Sequence, residues 1–404
     1  MNHQVEPPEK KKRKRKTKNS SPPPSPPSSY PSFSSLPDEI AVNCLARIPR
    51  SYYPTLSIVS KSFRSFLSSS ELYAARSQLG STEKCVYVCL LDYSDQPLLQ
   101  WFRLWINPNR SLPNSMIKKK KKKKAIGQLL VPIPSSNLTD LSTVKPVAVG
   151  SELYVIGGPL NRAASSAVWV LDCRSHTWRE APSMSVARKN ALNCVYDRKI
   201  YVFGGAEEED DSWGEVFDTK TQTWERLPDP GNEVRKCRVW KIREMEGKIY
   251  YNLASTNYNM YAYDTKQCKW ECECDEDLIA KVSKLPSSEY VRSSSFRHLG
   301  CSVYDVEDGR WKVVNGLESL EDKFKRNGGS SGHIAKVVRC GWKLFFIWEG
   351  VTRRNSYNRK KIWCAEIELQ KCYGGELWGN VECIDHVLTV PTKCQILHCH
   401  SVSV

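Results

Sequence analysis

Four stretches decide the architecture of this chain: ELYVIGG at 152–158, KIYVFGG at 199–205, KIYYNLA at 248–254 and KLFFIWE at 343–349. Each is an apolar run of strand length, rich in β-branched and aromatic residues. A second set alternates with them: VWVLDCRSHTWREAP (168–182), EVFDTKTQTWERLP (215–228), YAYDTKQCKWECEC (261–274) and SVYDVEDGRWKVVN (302–315). Its tryptophans, Trp178, Trp224, Trp270 and Trp311, are spaced by 46, 46 and 41 residues. Each copy reads as an apolar strand, a turn, a strand ending in Asp, a short turn and a Trp-led strand. Asp is a turn former because its carboxylate accepts hydrogen bonds from its own backbone. The pairs Gly157–Gly158 and Gly204–Gly205 permit positive φ or close backbone approach, and each Trp offers a large apolar plug between neighbouring copies. A single four-stranded sheet cannot bury both of its faces. Stacking such sheets radially does so and limits exposed edges.

The clearest copies cover 147–192, 193–238, 242–285 and 297–350. They predict a mainly β body over 84–392, a propeller of about six blades, with five as the alternative. WFRLWINPN (101–109) and LLVPIPS (129–135) belong to the first blade, and IWCAEIELQKCYGGELWGNVECIDHVL (362–388) to the last. The double glycine is lost in the third and fourth copies. The run Lys118–Lys124 interrupts the first blade and is expected in a surface loop, since seven like charges repel and stay hydrated. Residues 393–404 are expected to fray as a C-terminal tail.

Upstream, 35–81 has a helical pattern. Pro37 suits a helix start, and Asp38 and Glu39 favour its positive end. Ile40, Cys44, Leu45 and Ile48 recur at helical spacing, as do Leu56, Val59, Phe63, Phe66 and Leu67. A third short helix is expected over Glu71–Leu79, capped by Gly80. So small a unit is marginal alone and gains from packing on a partner. Residues 1–34, basic and then Pro/Ser-rich, hold too little apolar surface to offset their ordering entropy and are expected to be disordered.

The segment 35–80 resembles an F-box, in the version found in plant F-box/kelch-repeat proteins. The carrying residues are Leu36-Pro37-Asp38-Glu39, Cys44 to Arg50, Tyr53-Pro54, Leu56, Val59-Ser60-Lys61 and Phe63-Arg64. The later copies resemble kelch repeats, through Tyr154 to Gly158 with Trp178 and Tyr201 to Gly205 with Trp224. The resemblance implies a non-catalytic subunit of a ubiquitin ligase. Its F-box would dock a Skp-type adaptor and, through it, a cullin–RING core, while the propeller captures a protein target of unknown identity. By position, Leu36, Pro37, Ile40, Leu45, Ile48, Pro49, Leu56, Val59 and Phe63 divide between the module's core and its adaptor face. Sequence does not separate the two roles, although Leu36 and Pro37, ahead of the first helix, favour the adaptor face.

A net charge of +16 suggests nucleic acid, but fifteen basic residues sit in Lys10–Lys18 and Lys118–Lys124. Without them forty-five basic residues face forty-four acidic ones, so no basic groove is expected on the body. Lys10, Lys11, Lys12, Arg13, Lys14, Arg15 and Lys16 resemble a nuclear-import signal, with a solvated tail as the plain alternative. A nuclear or cytoplasmic setting is expected, and a nuclear propeller without a ligase role is the competing reading. The start of the chain carries no apolar signal stretch, and no apolar run is long enough to span a membrane. Without a route to an oxidising compartment, the sixteen cysteines are expected to be reduced and mostly buried. Kelch propellers include a copper oxidase, yet the seven histidines are scattered. Cys394, His398, Cys399 and His400 match no zinc spacing, and Cys272 with Cys274 is expected to be buried packing. No cofactor or metal is assigned. The acidic run Glu207–Asp211 is expected to be a solvated loop.

Overall fold

The computed structural model describes residues 33, 36–93, 98–108, 127–134, 146–158, 163–207, 212–236, 239–253, 260–285, 291–294, 300–329, 335–350 and 359–404. The basic runs Lys10–Lys16 and Lys118–Lys124, the Pro/Ser-rich tail except Phe33, and all of the acidic run except Glu207 lie outside these residues.

Four α-helices open the chain: α1 (Asp38–Ala46), α2 (Tyr53–Leu56), α3 (Lys61–Leu67) and α4 (Ser70–Gln78). Strands follow. The first sheet holds β1 (Lys84–Asp92), β2 (Leu98–Ile106) and β3 (Gln128–Ile133). The second holds β4 (Val147–Val149), β5 (Glu152–Ile156), β6 (Val168–Asp172) and β7 (Thr177–Ala181). The third holds β8 (Leu192–Tyr196), β9 (Lys199–Phe203), β10 (Gly214–Asp218) and β11 (Thr223–Arg226). After the short α5 (Asn232–Lys236), the fourth holds β12 (Val239–Met245), β13 (Lys248–Leu253), β14 (Met260–Asp264) and β15 (Lys269–Glu273). Beyond α6 (Glu276–Lys284), the fifth has three consecutive strands, β16 (Val291–Ser294), β17 (Gly300–Asp305) and β18 (Arg310–Asn315). Beyond α7 (Glu318–Arg326), the sixth holds β19 (Lys336–Cys340), β20 (Lys343–Gly350), β21 (Arg359–Lys371) and β22 (Leu377–Pro391). The start of β22 also pairs, in parallel, with Val314–Asn315 of β18, joining the last two sheets.

Neighbouring sheets share cores. Tyr87 and Trp101 pack with Leu153 and Val155; Tyr154 and Val170 with Ile200 and Phe217; Tyr201 and Phe203 with Ile249 and Tyr251. Cys301 and Val303 pack with Phe346 and Ile367, and Ile347 and Ile362 with Val86 and Val88. Strands β5, β9 and β20 are buried on both faces because each lies between two neighbouring sheets. That sandwiching is why their sequences are continuous apolar runs and not alternating ones.

The repeat's turn chemistry is regular. Asp172, Asp218, Asp264 and Asp305 each accept a hydrogen bond from the backbone N–H two residues on, at 2.8, 2.8, 2.8 and 3.1 Å. Four residues past each Asp the chain turns left-handed, at His176, Gln222, Cys268 and Gly309. Two residues later comes the tryptophan. Trp224, Trp270 and Trp311 donate from Nε1 to the carbonyls of Pro182, Pro228 and Lys284, fastening each sheet to the segment that leaves the preceding one. Trp178 instead lies edge-on to Trp101 at 5.9 Å.

Three expectations change. The copy at 297–350 spans two sheets, β17–β18 of the fifth and β19–β20 of the sixth, and among the described residues the fifth contributes three strands of its own. Cys272 and Cys274 are exposed, not buried. Residues 393–404 are not a frayed tail: Cys394–Ser403 forms β23, the innermost strand of the first sheet, paired antiparallel with β1 from Lys84↔Ser403 to Asp92↔Cys394. Local pattern hides this strand because its partner lies some three hundred residues away in the sequence.

Deleting residues 394–404 removes an inner strand and four buried side chains, Cys394, Cys399, Val402 and Val404, worth about 1.5–3 kcal/mol each. That rivals the whole stability of an ordinary domain, about 5–15 kcal/mol. The truncated chain is expected to lose its cooperative thermal transition by circular dichroism. An unchanged midpoint is what a frayed tail requires and would refute the closure.

Candidate protein-docking site

The helical module is capped by its own serines. Ser60 Oγ accepts from the Phe63 N–H at 3.1 Å and Ser69 Oγ from the Leu72 N–H at 3.3 Å, each satisfying one otherwise orphaned donor. Pro37 sits at the entry of α1 and Asp38 and Glu39 fill its first turn. The core is Val42, Leu45, Ala46, Tyr53, Leu67 and Leu72, with Ile48, Leu56 and Phe63 half-buried against it and the Phe33 ring 4.6 Å from that of Phe63.

The structure thus separates what the sequence could not. Of the nine predicted positions, Leu45 is core, Ile48, Leu56 and Phe63 line its edge, and Leu36 is half-buried. Pro37, Ile40, Pro49 and Val59 face solvent. Ile40 is 50% and Val59 62% exposed; Ile58, which the helical stripe did not single out, is 76% exposed. Its signal was being an apolar residue off the stripe, just ahead of the Ser60 cap. Apolar side chains left this open have weak packing roles and suit a docking surface.

Two buried arginines join the module to the first two sheets. Arg76, 1% exposed, donates to the carbonyls of Ala46 and Ile48 and to Tyr53 Oη, and pairs with Glu83 at 2.6 Å. Arg50 donates from Nη2 to the carbonyls of Cys173 and Arg174, its backbone N–H donates to Glu83 Oε1 at 3.0 Å, and its guanidinium lies over the Tyr73 ring. Tyr73 Oη donates to the Arg174 carbonyl, and Trp105 Nε1 to that of Ser51. The module therefore sits at the end of the body that carries the Asp turns. His176 lies in that junction, with Nε2 3.2 Å from Tyr87 Oη. Burial, and then the nearby cations of Arg103 and Arg50, push its pKa down to about 4.

The double glycines mark the opposite end. Segment 188–189 runs between them: Gly158 N–H donates to the Arg188 carbonyl at 3.0 Å and Lys189 N–H to the Gly205 carbonyl at 2.7 Å. A Cβ at Gly205 would collide with the Lys189 backbone, and its φ of +74° also favours glycine. Arg188 and Glu215, both fully buried, pair at 2.9 Å. Arg188 also donates to the carbonyls of Gly204, Ser212 and Trp213, while Glu215 accepts from the N–H groups of Ser185 and Val186. Sequence reasoning missed this pair, because a lone Arg and a lone Glu in separate copies carry no spacing signal. Beside it is a cavity of about 120 Å³ lined by Leu192, Phe203, Gly204, Trp213 and Tyr251 among others. A cavity of about 150 Å³ is enough for a benzene ring, so this one is suited to a single side-chain-sized group. In the sixth sheet, where the repeat places Trp348 and Glu349 in place of the glycines, a second buried pair appears. Glu349 meets Lys360 at 2.6 Å and accepts from the Ile396 N–H of β23 at 2.7 Å.

Among the described residues no three His, Cys, Asp or Glu side chains lie together as a metal cluster. Cys394 and Cys399 are buried in β23, with His398 and His400 half-buried beside them.

Comparison with known proteins agrees with this division. An F-box domain model matches residues 33–74, and a model described as FKB95, kelch-repeats domain, matches residues 101–388. The chain is 56% identical over 412 residues to F-box/kelch-repeat protein At4g19870 and 57% identical over 411 residues to F-box/kelch-repeat protein At4g19865, both of Arabidopsis thaliana. Each comparison covers 100% of both chains. F-box/kelch-repeat protein At4g19330 of the same plant is 41% identical over 370 residues, 91% of each chain.

Removing one member of the Arg188–Glu215 pair strands a buried charge, so Arg188→Met is expected to cost about 3–5 kcal/mol. Arg188→Met combined with Glu215→Leu should cost less than the single change, as read by urea denaturation. An additive double variant would mean that the two side chains act independently. The junction histidine sets a pH dependence. Unfolded, His176 titrates near 6.5; folded, near 4. Between those values the unfolded chain takes up the proton first, so the contribution is complete above pH 6.5 and is lost as pH falls toward 4, up to about 3 kcal/mol. His176→Gln should therefore lower the difference in urea midpoint between pH 7 and pH 4.5; an undiminished difference would assign it to other groups.

Proposed function

The chain belongs to the plant F-box/kelch-repeat family, and from that premise we propose that it is the substrate-recognition subunit of a Skp–cullin–F-box type ubiquitin ligase. In this reading the exposed apolar residues of the helical module dock a Skp-type adaptor, and the glycine-bearing end of the propeller holds the protein to be ubiquitinated. The observation that carries it is the exposure of Ile40, Ile58 and Val59 on a module whose own core is already filled. Nothing within the described module covers them, so a partner is the simplest source of their burial.

The chain contributes proximity to the reaction. It supplies no acid, base or nucleophile to ubiquitin transfer. Holding a target near the transferring enzyme raises the effective concentration of its lysines. The arrangement favours this use, because the module joins the body at the Asp-turn end while the cavity and the double glycines lie at the other. A nuclear setting, proposed on the Lys10–Lys16 run alone, would place that activity on nuclear targets.

The test is adaptor binding by the full chain and by an Ile58→Glu/Val59→Glu variant, followed by biolayer interferometry. The variant should lose at least about tenfold in affinity, the scale of a hot-spot change above roughly 1.4 kcal/mol. Its thermal midpoint should hold, because exposed positions contribute within about 0.5 kcal/mol to stability. A folded wild-type chain that binds no Skp-type adaptor would overturn the ligase reading.

A further inference from the structure

The outer strand of the fourth sheet carries Cys272, with Cys274 just past its end. Side chains two apart in a strand share a face, and here both are open to solvent with their Sγ atoms 4.0 Å apart. Tyr261 stands opposite Cys272 in the register, its hydroxyl donating to Glu233 at 2.5 Å. Partial burial, and then the adjoining thiol, raise the pKa of Cys272: one sulfur resists ionising beside the other unless a cation lies between them.

Three chemistries compete for such a pair, and geometry separates them. A disulfide needs Cα atoms about 4.4–6.8 Å apart and Cβ atoms that converge to about 3.8 Å. Extended residues two apart are roughly 6.6 Å apart, at the upper limit of that range, and their parallel Cβ directions do not converge, so a bond here would bend the strand end. A structural zinc site needs four ligands, and among the described residues no third His, Cys, Asp or Glu joins the pair. A soft monovalent ion is satisfied by two thiolates. At the length of about 2.3 Å that thiolates take to zinc, a linear two-coordinate ion spans roughly 4.6 Å, so these exposed side chains need open only about 0.6 Å from the observed 4.0 Å gap.

We propose that Cys272 and Cys274 form a two-coordinate dithiolate site for a soft monovalent metal ion, Cu(I) being the first-row ion that thiolates select. Two S–H bonds break and two Cu–S bonds form. Both protons pass to water, copper stays monovalent, and no electron moves. Because two protons leave, affinity rises by up to about 100-fold per pH unit below the thiol pKa values. The site is independent of adaptor docking, since it lies on the fourth sheet and the helical module contacts the first two.

The experiment uses the full, reduced chain under anaerobic conditions, with Cu(I) as the probe and bicinchoninate as the competing chromophore. Cys272→Ser, Cys274→Ser and the double variant are compared with wild type, and circular dichroism checks folding. Each variant should bind one Cu(I) fewer than wild type, and the lost equivalent should weaken steeply from pH 7.5 to 6.5. Unchanged stoichiometry in the folded double variant would overturn the site. So would conversion of the reduced pair to an intrachain disulfide by oxidised glutathione without Cu(I) uptake by the reduced protein, since the geometry argues against that bond.

Discussion

The pairing of β23 with β1 is the constraint on which the rest of the structure depends. Six sheets can shield one another's faces only if the first and last are neighbours, and here the neighbour relation is enforced by one sheet built from the first and last strands of the body. Glu83 and Val404 exchange two backbone hydrogen bonds of 2.8 Å just beyond the paired strands. The entropy of closing so long a loop grows only with the logarithm of its length, so a ten-residue strand suffices to hold it. The ordering consequence is larger: the ring cannot complete until β23 pairs with β1.

The two ends of the body solve different problems. At the Asp-turn end, the carboxylate, the left-handed residue and the tryptophan repeat four times because each is local, set within ten residues. At the other end the solutions differ from sheet to sheet. Where the chain keeps paired glycines, a neighbouring backbone passes through the space a Cβ would fill, and Arg188 satisfies the carbonyls around it. Where the glycines are replaced, Trp348 fills the space and Glu349 turns inward against Lys360. A degenerate repeat has therefore not lost its packing. It has exchanged backbone proximity for a buried indole and, like the glycine-bearing sheet, keeps a buried ion pair, tolerable because its carboxylate is hydrogen-bonded.

This contrast also explains how much could be read from the sequence. The turns, the tryptophan spacing, the helical module and the sheet count are local or periodic, and pattern exposes them. The closing strand, the Arg188–Glu215 pair and the clasp of β22 onto β18 are contacts between distant segments, and no short window contains both partners. The docking module was half legible for the same reason. Helical spacing marks Ile40, Leu45 and Val59 alike as apolar stripe, but only the packing of α1 against α4 shows that Leu45 is enclosed and the other two are not. Ile58 was missed because it lies off the stripe, where an apolar residue has the least structural reason to be.

Glu83 links closure to docking. Its backbone joins the end of the chain, while its carboxylate receives the Arg50 N–H and the Arg76 guanidinium from the helical module. Those two arginines reach in turn to the carbonyls of Ala46, Ile48, Cys173 and Arg174. The module is thus seated beside the sheet that completes the ring, through one residue, Glu83, that touches both. The helical face and the glycine-bearing face are carried at opposite ends of one body, so on the proposed reading a target held at one end would be presented at a defined distance from a partner held at the other. On that reading, in which the chain contributes proximity, that rigidity is the functional quantity, and it rests on backbone pairing between residues some three hundred positions apart.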